Sequence, residues 1–539
     1  MKHFTLTCFT LAAAAAALAF TTPVVRAAEF DLSTATIQDI NAAFAAGALT
    51  SEKLTQLYLA RIAAYDQTGP SLNSIISLNP NALAEARALD AERRAGKVRS
   101  PLHGIPVLVK DNFDVAGLAN TGGSFLLEGN ISATDAPNIK GLRDAGAIML
   151  AKTNLDEFAA GGIGFSSLGG QTKNPHDLAR VPLGSSGGTG AGLAAWFAPL
   201  GLGTDTGGSI RGPAFANGVV GIKPTNGLMS RSGIIPRVLS FDTGGPMARS
   251  VYDAALALGF MTGVDPTDPL TSRSAGLFYR DYTPYLKKDA LMGARLGVVR
   301  DFLGTDPEVD RLFEAALVDL RAQGAVLVDP INFPKYVLEA RASIMDAVRD
   351  VDIREQYKIY LATLAPQFPK TLTEMIARAD AFTAPRGKII PYPVLYNRFR
   401  VNNAGPSPET FAYLAAKNHG MAMVRDGVLG LMQLHQLDAL VYPTRPASTP
   451  LIRADAATFA PDAATTLPSL TNIANITQFP DIQVPAGLTS ARLPITVSFM
   501  GPAFSEPLLL GYAYAFEQAR PRISLPATTP SLPGEKFSY

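Results

Sequence analysis

A single cysteine, Cys8, occurs among 539 residues, and it falls in the N-terminal stretch "MKHFTLTCFTLAAAAAALAFTTPVVRAAEF". Without cysteine beyond that stretch there is no disulfide, no thiolate metal site and no cysteine nucleophile. Histidine is scarce as well, with five in all. Beyond His3, the four at His103, His176, His419 and His435 carry no ligand or catalytic spacing; His435 lies in the apolar, helical "LMQLHQLDALV" and His419 precedes a glycine in "AAKNHGMAM". Each reads as a packed or surface histidine, so a Ser-His-Asp arrangement has no support in the pattern. No metal or organic cofactor is expected. Excess charge of one sign is missing too, since 47 Lys+Arg stand against 46 Asp+Glu for a net charge of +1. No Lys/Arg block reads as a polyanion patch, which removes the electrostatic case for a nucleic-acid partner.

A bilayer-spanning run is also lacking. The apolar stretch from Leu6 to Phe20 is alanine-rich and shorter than the roughly 20 residues that cross a membrane. With its basic start and the small residues Val25 and Ala27 before Ala28, residues 1–27 read as a cleaved secretory signal peptide rather than an anchor. The expected location is the periplasm or the medium, without stable membrane association. Export and the absence of disulfides agree, because a chain this long, 47% hydrophobic and 17% charged, buries a core that needs no staples.

What is present is an alternation of helical and strand patterns. Leu54, Leu57, Tyr58, Ile62 and Tyr65 recur at helical spacing. Asn79 and Pro80 look like the start of the next helix, which Gly96 closes. "GIPVLVKDN" is a short strand ending at Lys110, "NIKGLRDAGAIMLAKTN" reads helix then strand, and "GTGAGLAAWFAPLGLGTD" does the same. The pattern returns in "ARLGVVRDF" and "DPEVDRLFEAALVDLRAQGAVLV", then in the late strands "DALVYPT" and "LPITVSFMG" and the closing helix "SEPLLLGYAYAFEQA". This predicts an α/β fold with a large mixed, mostly parallel central sheet covered by helices on both faces. Sheet elements flank a stretch at about 333–430 that holds the proline-rich "TAPRGKIIPYPV". It reads as a helical, loop-rich cap inserted near the substrate entrance of a single domain spanning 28–539, and the acyl pocket is expected to be shaped by this stretch and by residues such as Phe125 and Leu126.

Two serine-glycine loops compete for a nucleophile. "GSSGG" at 184–188 fits G-x-S-x-G around Ser186, but that elbow must follow a strand directly, and here it follows the polar, proline-containing "TKNPHDLARVPL". "GLGTDTGGSIRGPA" at 201–214 follows an apolar stretch and sets Ser209 behind Gly207 and Gly208. Glycines there let the backbone curl so that N–H groups converge, an arrangement suited to an oxyanion. Taken alone, the loop is as well read as a tight turn, and Lys110 as an exposed strand-end lysine beside Asp111.

The constellation decides. "GIPVLVKDN", "GSSGGTGAG" and "GTDTGGSIRGPA" occur in this order, with "AKTNLDEFA", "GGQTKNP", "GVVGIKPTNG", "DTGGPMARS" and "SFMGPAFSEP" around them. Together, from about Ile37 to Ala519, they resemble the amidase signature family, and within it the exported bacterial peptide amidases. The resemblance implies Ser209 as nucleophile, Ser185 as bridging serine and Lys110 as base. It also implies the N–H groups of Thr206, Gly207, Gly208 and Ser209 as oxyanion hole, Ser186, Asp205 and Arg211 in support, and a cis peptide between Gly184 and Ser185. Such a lysine must be neutral, yet in water its pKa is near ~10.4 and only about one in ~10³ is neutral at pH 7. The site therefore requires Lys110 to be buried.

The function so implied is an amidase that cleaves linear amides through an acyl-enzyme. Peptide C-terminal amides are the expected substrates, with aryl amides, oligoamides, carbamates and esters as alternatives and a small molecule or peptide as the partner. The amidotransferase component that works on charged transfer RNA fits poorly with export and a near-neutral charge. A binding protein that kept the fold without the chemistry fits poorly with Lys110, Ser185 and Ser209 all in place. The leader reading predicts an exported protein beginning at or near Ala28; N-terminal sequencing that still finds Met1 would overturn it.

Overall fold

The computed structural model describes residues 1, 28–453, 471–520 and 525–539. The expected leader, apart from Met1, lies outside the described residues. In chain order the strands of the central sheet are Ile75–Leu78 (β1), Pro106–Lys110 (β2), Ile148–Thr153 (β3), Leu200–Asp205 (β4), Val220–Lys223 (β5) and Thr243–Ala248 (β6). Arg295–Val299 (β7), Val326–Ile331 (β8), Ala439–Pro443 (β9), Asp481–Leu488 (β10) and Pro494–Met500 (β11) complete it. Among the described residues it has 11 strands, laid side by side as β8-β7-β9-β11-β10-β5-β6-β4-β2-β3-β1.

The sheet is mixed, as the alternation predicts, but the expected parallel majority is absent. β7 runs parallel to β8 and β9, and β2 to β3 and β4. From β9 through β11, β10, β5 and β6 to β4 every neighbour is antiparallel, as is β1 beside β3. The cause is connection length. A parallel link needs a crossover of a dozen or more residues, usually a helix. Only residues 489–493 join β10 to β11, and residues 224–242 between β5 and β6 contain no helix.

In β2, β3, β4, β5, β6, β9 and β11 every residue is buried. Successive side chains point to opposite faces, so both faces are covered. The covering helices form where caps and periodicity agree. In Pro307–Ala322, Asp306 accepts from the N–H of Glu308, Pro307 opens the first turn, and Val309, Leu312, Phe313, Ala316, Leu317 and Leu320 make the buried stripe. The helix expected at Asn79-Pro80 starts at Ala82 instead, because the Asn79 side chain accepts from the N–H of Asn81 and shapes a turn first. No described helix is long and apolar enough to cross a membrane.

The 333–430 stretch folds into the helices Lys335–Ala362, Leu372–Ala381, Pro393–Asn403 and Phe411–Ala415, then a π turn at Ala416–Gly420 leading into the helix Met421–Leu434. The long first helix packs on most of the others. At the far end of the chain, Glu535 is tied to the Ser51–Tyr65 helix by Arg61, with both side chains buried and 2.9 Å apart. The remaining Arg61 donors reach the carbonyls of Ala195, Thr529 and Pro530. Removing one member of a buried pair leaves an uncompensated charge, a loss of about 3–5 kcal/mol. Glu535→Ala is therefore expected to lower the thermal midpoint by several degrees; an unchanged midpoint would show that the pair does not anchor the C-terminal segment.

Candidate active site

The parallel pairing of β2 with β4 sets Val109 opposite Leu202 and carries Lys110 and Thr204 to the same end of the sheet. Lys110 is fully buried there. Its Nζ lies 2.7 Å from Ser185 Oγ and 2.7 Å from Thr204 Oγ1. Asn112 Nδ2 donates to that Thr204 hydroxyl oxygen at 3.1 Å. Burial pulls the Lys110 ammonium down to about 7, against a weaker upward pull from Asp156, Asp205 and Asp242. The alternative of an exposed strand-end lysine is excluded, and the neighbouring Asp111 pairs with Lys152 at 3.1 Å instead.

Two other buried lysines show that burial alone makes no base. Lys152 donates to the carbonyls of Phe113 and Ala119. Lys223 is pulled down to about 7 by burial, like Lys110, but donates to Pro224 O, Phe479 O and Asn226 Oδ1. Lys110 differs in touching a serine.

Ser185 follows a cis peptide bond from Gly184. Its carbonyl accepts from the N–H of Asp156 at 3.1 Å, and a Cβ on Gly184 would fall 1.7 Å from Asp156 Oδ2. Asp156 in turn accepts from the N–H groups of Ile163 and Gly164, each at 2.9 Å. Ser186 is buried behind the loop: its Oγ meets Thr204 O and the N–H of Thr204, each at 3.3 Å, and its own N–H donates to Ser209 O at 3.1 Å. The second loop is thereby stitched to the first. Ser186 is absent from the cavity lining while Ser209 is part of it, which separates the two candidate nucleophiles.

The Ser209 loop hangs from Asp205, the last residue of β4. Asp205 Oδ1 accepts from the Gly208 N–H at 2.8 Å and Oδ2 from the Ile210 N–H at 3.0 Å, while Arg211 bridges both oxygens. Arg211 continues to Asp481 Oδ2 at 2.9 Å and Asn475 Oδ1 at 2.6 Å. Burial alone would raise the Asp205 carboxyl, but the Arg211 guanidinium outweighs it and holds the group well below the usual carboxylate range. Gly208 was expected among the oxyanion donors, but its N–H is committed to Asp205. Thr206, Gly207 and Ser209 keep N–H groups that meet no acceptor among the described residues. Those three form the available nest.

Beside the loop opens a cavity of about 320 Å³, lined by Thr206 to Ser209, by Ala159 to Ile163 and by Leu183 and Gly184. Met345, Arg349, Tyr392 and Arg398 of the long helical stretch close over it, and Arg237, Val238, Phe241 and Arg445 complete the wall. Phe125 and Leu126, expected at an acyl pocket, are not part of the lining. Phe125 packs on Phe382, its ring 4.5 Å away, and on Tyr396. Pattern reading gave no role to Thr204 and Asp156, although both fall inside quoted motifs, nor to Arg237 and Arg445, which no quoted motif contains. No cluster of His, Cys, Asp or Glu among the described residues could hold a metal ion.

A family model described as Amidase matches residues 53–510. The native peptide amidase of Stenotrophomonas maltophilia superposes with a TM-score of 0.83 at 39% identity, covering 92% of this chain and 99% of that one. A component of the glutamyl-tRNA(Gln) amidotransferase of Halorhodospira halophila is 36% identical over 90% of this chain and 96% of its own length. A protein of Arabidopsis thaliana described as a probable amidase is 34% identical over 91% of both. The chain belongs to the Amidase family and is an amide-hydrolysing enzyme. Its fold is that of the solved peptide amidase structures.

The tight fit at Gly208 yields a test. Its φ is +120°, and a Cβ there would lie 2.9 Å from Thr471 Oγ1 and 3.0 Å from Thr471 Cβ. A displacement of order 1 Å in a catalytic loop can lower turnover by about 10²-fold. Gly208→Ala is expected to lower amide turnover on that scale while circular dichroism stays unchanged; full activity would show that the loop tolerates the shift.

Proposed function

We propose that Lys110, Ser185 and Ser209 act as a Ser-Ser-Lys triad that hydrolyses linear amides through an acyl-enzyme, releasing ammonia from peptide C-terminal amides after export of the chain. The observation that carries this reading is the buried Lys110 amine, with a pKa near 7, in contact with Ser185 Oγ at 2.7 Å. A neutral amine accepts a proton, and the hydroxyl in contact with it can pass one on.

Ser209 Oγ attacks the amide carbonyl carbon, and its proton moves through Ser185 to the Lys110 amine. The carbonyl oxygen, now negative, takes hydrogen bonds from the N–H groups of Thr206, Gly207 and Ser209. As the C–N bond breaks, the proton returns from Lys110 through Ser185 to the leaving nitrogen, so ammonia or an amine departs neutral. Water then attacks the ester formed on Ser209 by the same route in reverse, giving the carboxylic acid and free enzyme. Asp205 and Arg211 hold the loop, and Ser186 ties it to Ser185.

The peptide-amide preference rests on similarity to the peptide amidase structures, and export rests on the composition of residues 1–27. The similarity to amidotransferase components supports the same bond cleavage. Ammonia released to solution by the isolated chain separates hydrolysis from transfer to another acceptor.

Because the base form of Lys110 grows as pH rises through about 7, amide hydrolysis is expected to rise across that range and to fall below it. An amide nitrogen needs a proton to leave, whereas an activated ester does not. Lys110→Ala should therefore lower kcat/KM for an amide more than for the matched ester, the acid-base share being of order 10²–10⁴. Unchanged amide turnover in that variant would remove Lys110 from the mechanism, and equal losses on both substrates would remove its acid role.

A further inference from the structure

The wall of the cavity beside Ser209 carries four arginines, Arg237, Arg349, Arg398 and Arg445, and no carboxylate among the described residues. Three of them interact with other residues, Arg445 among them. Arg349 pairs with Asp346 at 2.7 Å and Asp350 at 3.1 Å. Arg398 is exposed and reaches the Ala160 carbonyl at 3.5 Å.

Arg237 is different. Its Nη1 is buried with no hydrogen-bond partner among the described residues. The nearby carboxylate of Asp242 is occupied otherwise: it accepts from the backbone N–H groups of Arg237 and Val238 and from Thr206 Oγ1. The neighbouring Tyr357 phenol interacts with the guanidinium but, raised by burial, carries no charge to offset it. Burial pulls Arg237 down to about 10, with Arg349 and Arg398 adding to the downward pull. Burial also lowers Arg445, on the same wall, to about 10. A desolvated guanidinium is held at a free-energy cost that an arriving anion relieves, and its planar fork matches a carboxylate. The same cavity lining holds the nest at Thr206, Gly207 and Ser209 and the apolar side chains of Ile163, Val238, Phe241 and Met345, a setting that suits an aliphatic spacer.

We propose that the pocket selects amides whose acyl portion carries a carboxylate, received by Arg237 with Arg445 adding positive charge on the same wall, with peptides ending in an acidic residue amide as the fitting class. The inference rests on the amidase reading above. It adds the sign of the substrate's charge, which that reading leaves open.

The test compares ammonia release by the purified full chain from three N-acetyl dipeptide amides that differ in the last residue: glutamic acid α-amide, methionine α-amide and lysine α-amide. One charge-assisted hydrogen bond corresponds to about tenfold or more in kcat/KM, so the glutamyl amide should exceed the methionyl amide by at least that factor and the lysyl amide should be the poorest. Arg237→Met should reduce the glutamyl-to-methionyl ratio about tenfold, and Arg237→Lys should restore part of it. The wild-type ratio stands by itself if a variant fails to fold. Release from the methionyl amide with a ratio at or below one would overturn the charge preference and leave the amidase reading intact. An unaltered ratio in folded Arg237→Met would overturn the assignment to Arg237. No release from any of the three, with no labelling of Ser209 by a phosphonate, would overturn both readings.

Discussion

Asp205 and Arg211 are six residues apart in sequence, and their buried ion pair organises most of what surrounds the site. One end of the pair is the last residue of a central strand and the other the first residue of the helix Arg211–Asn217. Between them the chain turns through Gly207, Gly208 and Ser209, and the carboxylate takes up the N–H groups of Gly208 and Ile210 that the turn would otherwise leave unpaired. Arg211 passes the constraint onward to Asp481 and Asn475, from segments about 270 residues later. A carboxylate and guanidinium without access to water hold only when nearly every lone pair and N–H is used. Here they are, so Ser209 is presented by a loop with little freedom to move.

A second constraint acts on Lys110. The contrast with Lys152 and Lys223 shows what a buried lysine ordinarily does in this fold: it donates to backbone carbonyls, or to a carboxylate such as Asp111, and holds segments together. Lys110 has no ion-pair partner among the described residues; it donates to the Ser185 and Thr204 hydroxyls at 2.7 Å and only distantly, at 3.5 Å, to the Thr204 carbonyl. The same desolvation that would be a liability elsewhere gives an amine able to accept a proton near neutral pH. Its position follows from register, since the parallel pairing of β2 with β4 brings Thr204 beside it, and the Gly184–Ser185 turn arrives from a different part of the chain.

The cavity adds a third element, built from parts far apart in sequence. Ala159 to Ile163 form one side, the helical stretch contributes Met345, Arg349, Tyr392 and Arg398, and Arg237 and Arg445 come from two connecting loops. Its charge is of one sign although the chain as a whole is close to neutral. Local charge of this kind is a property of convergence, and composition carries no trace of it.

The sequence by itself determined a good deal of this protein. The strand ending at Lys110, the helix-strand units at 137–153 and 187–205, and the helix at 307–322 are legible because burial on one face imposes a period that side-chain type reveals. The Ser185 and Ser209 loops are legible because a tight turn demands glycine. The strands Val220–Lys223 and Thr243–Ala248 are not: "TGGPMA" has the composition of a turn, and only pairing with neighbours on both sides makes it sheet. Only the tertiary structure decided the antiparallel centre of the sheet, the commitment of the Gly208 N–H to Asp205, the burial that lowers Lys110 and the removal of Phe125 and Leu126 from the pocket wall. Each of these depends on which distant segment comes to lie alongside, and a local pattern records a segment's own preferences without recording its neighbours.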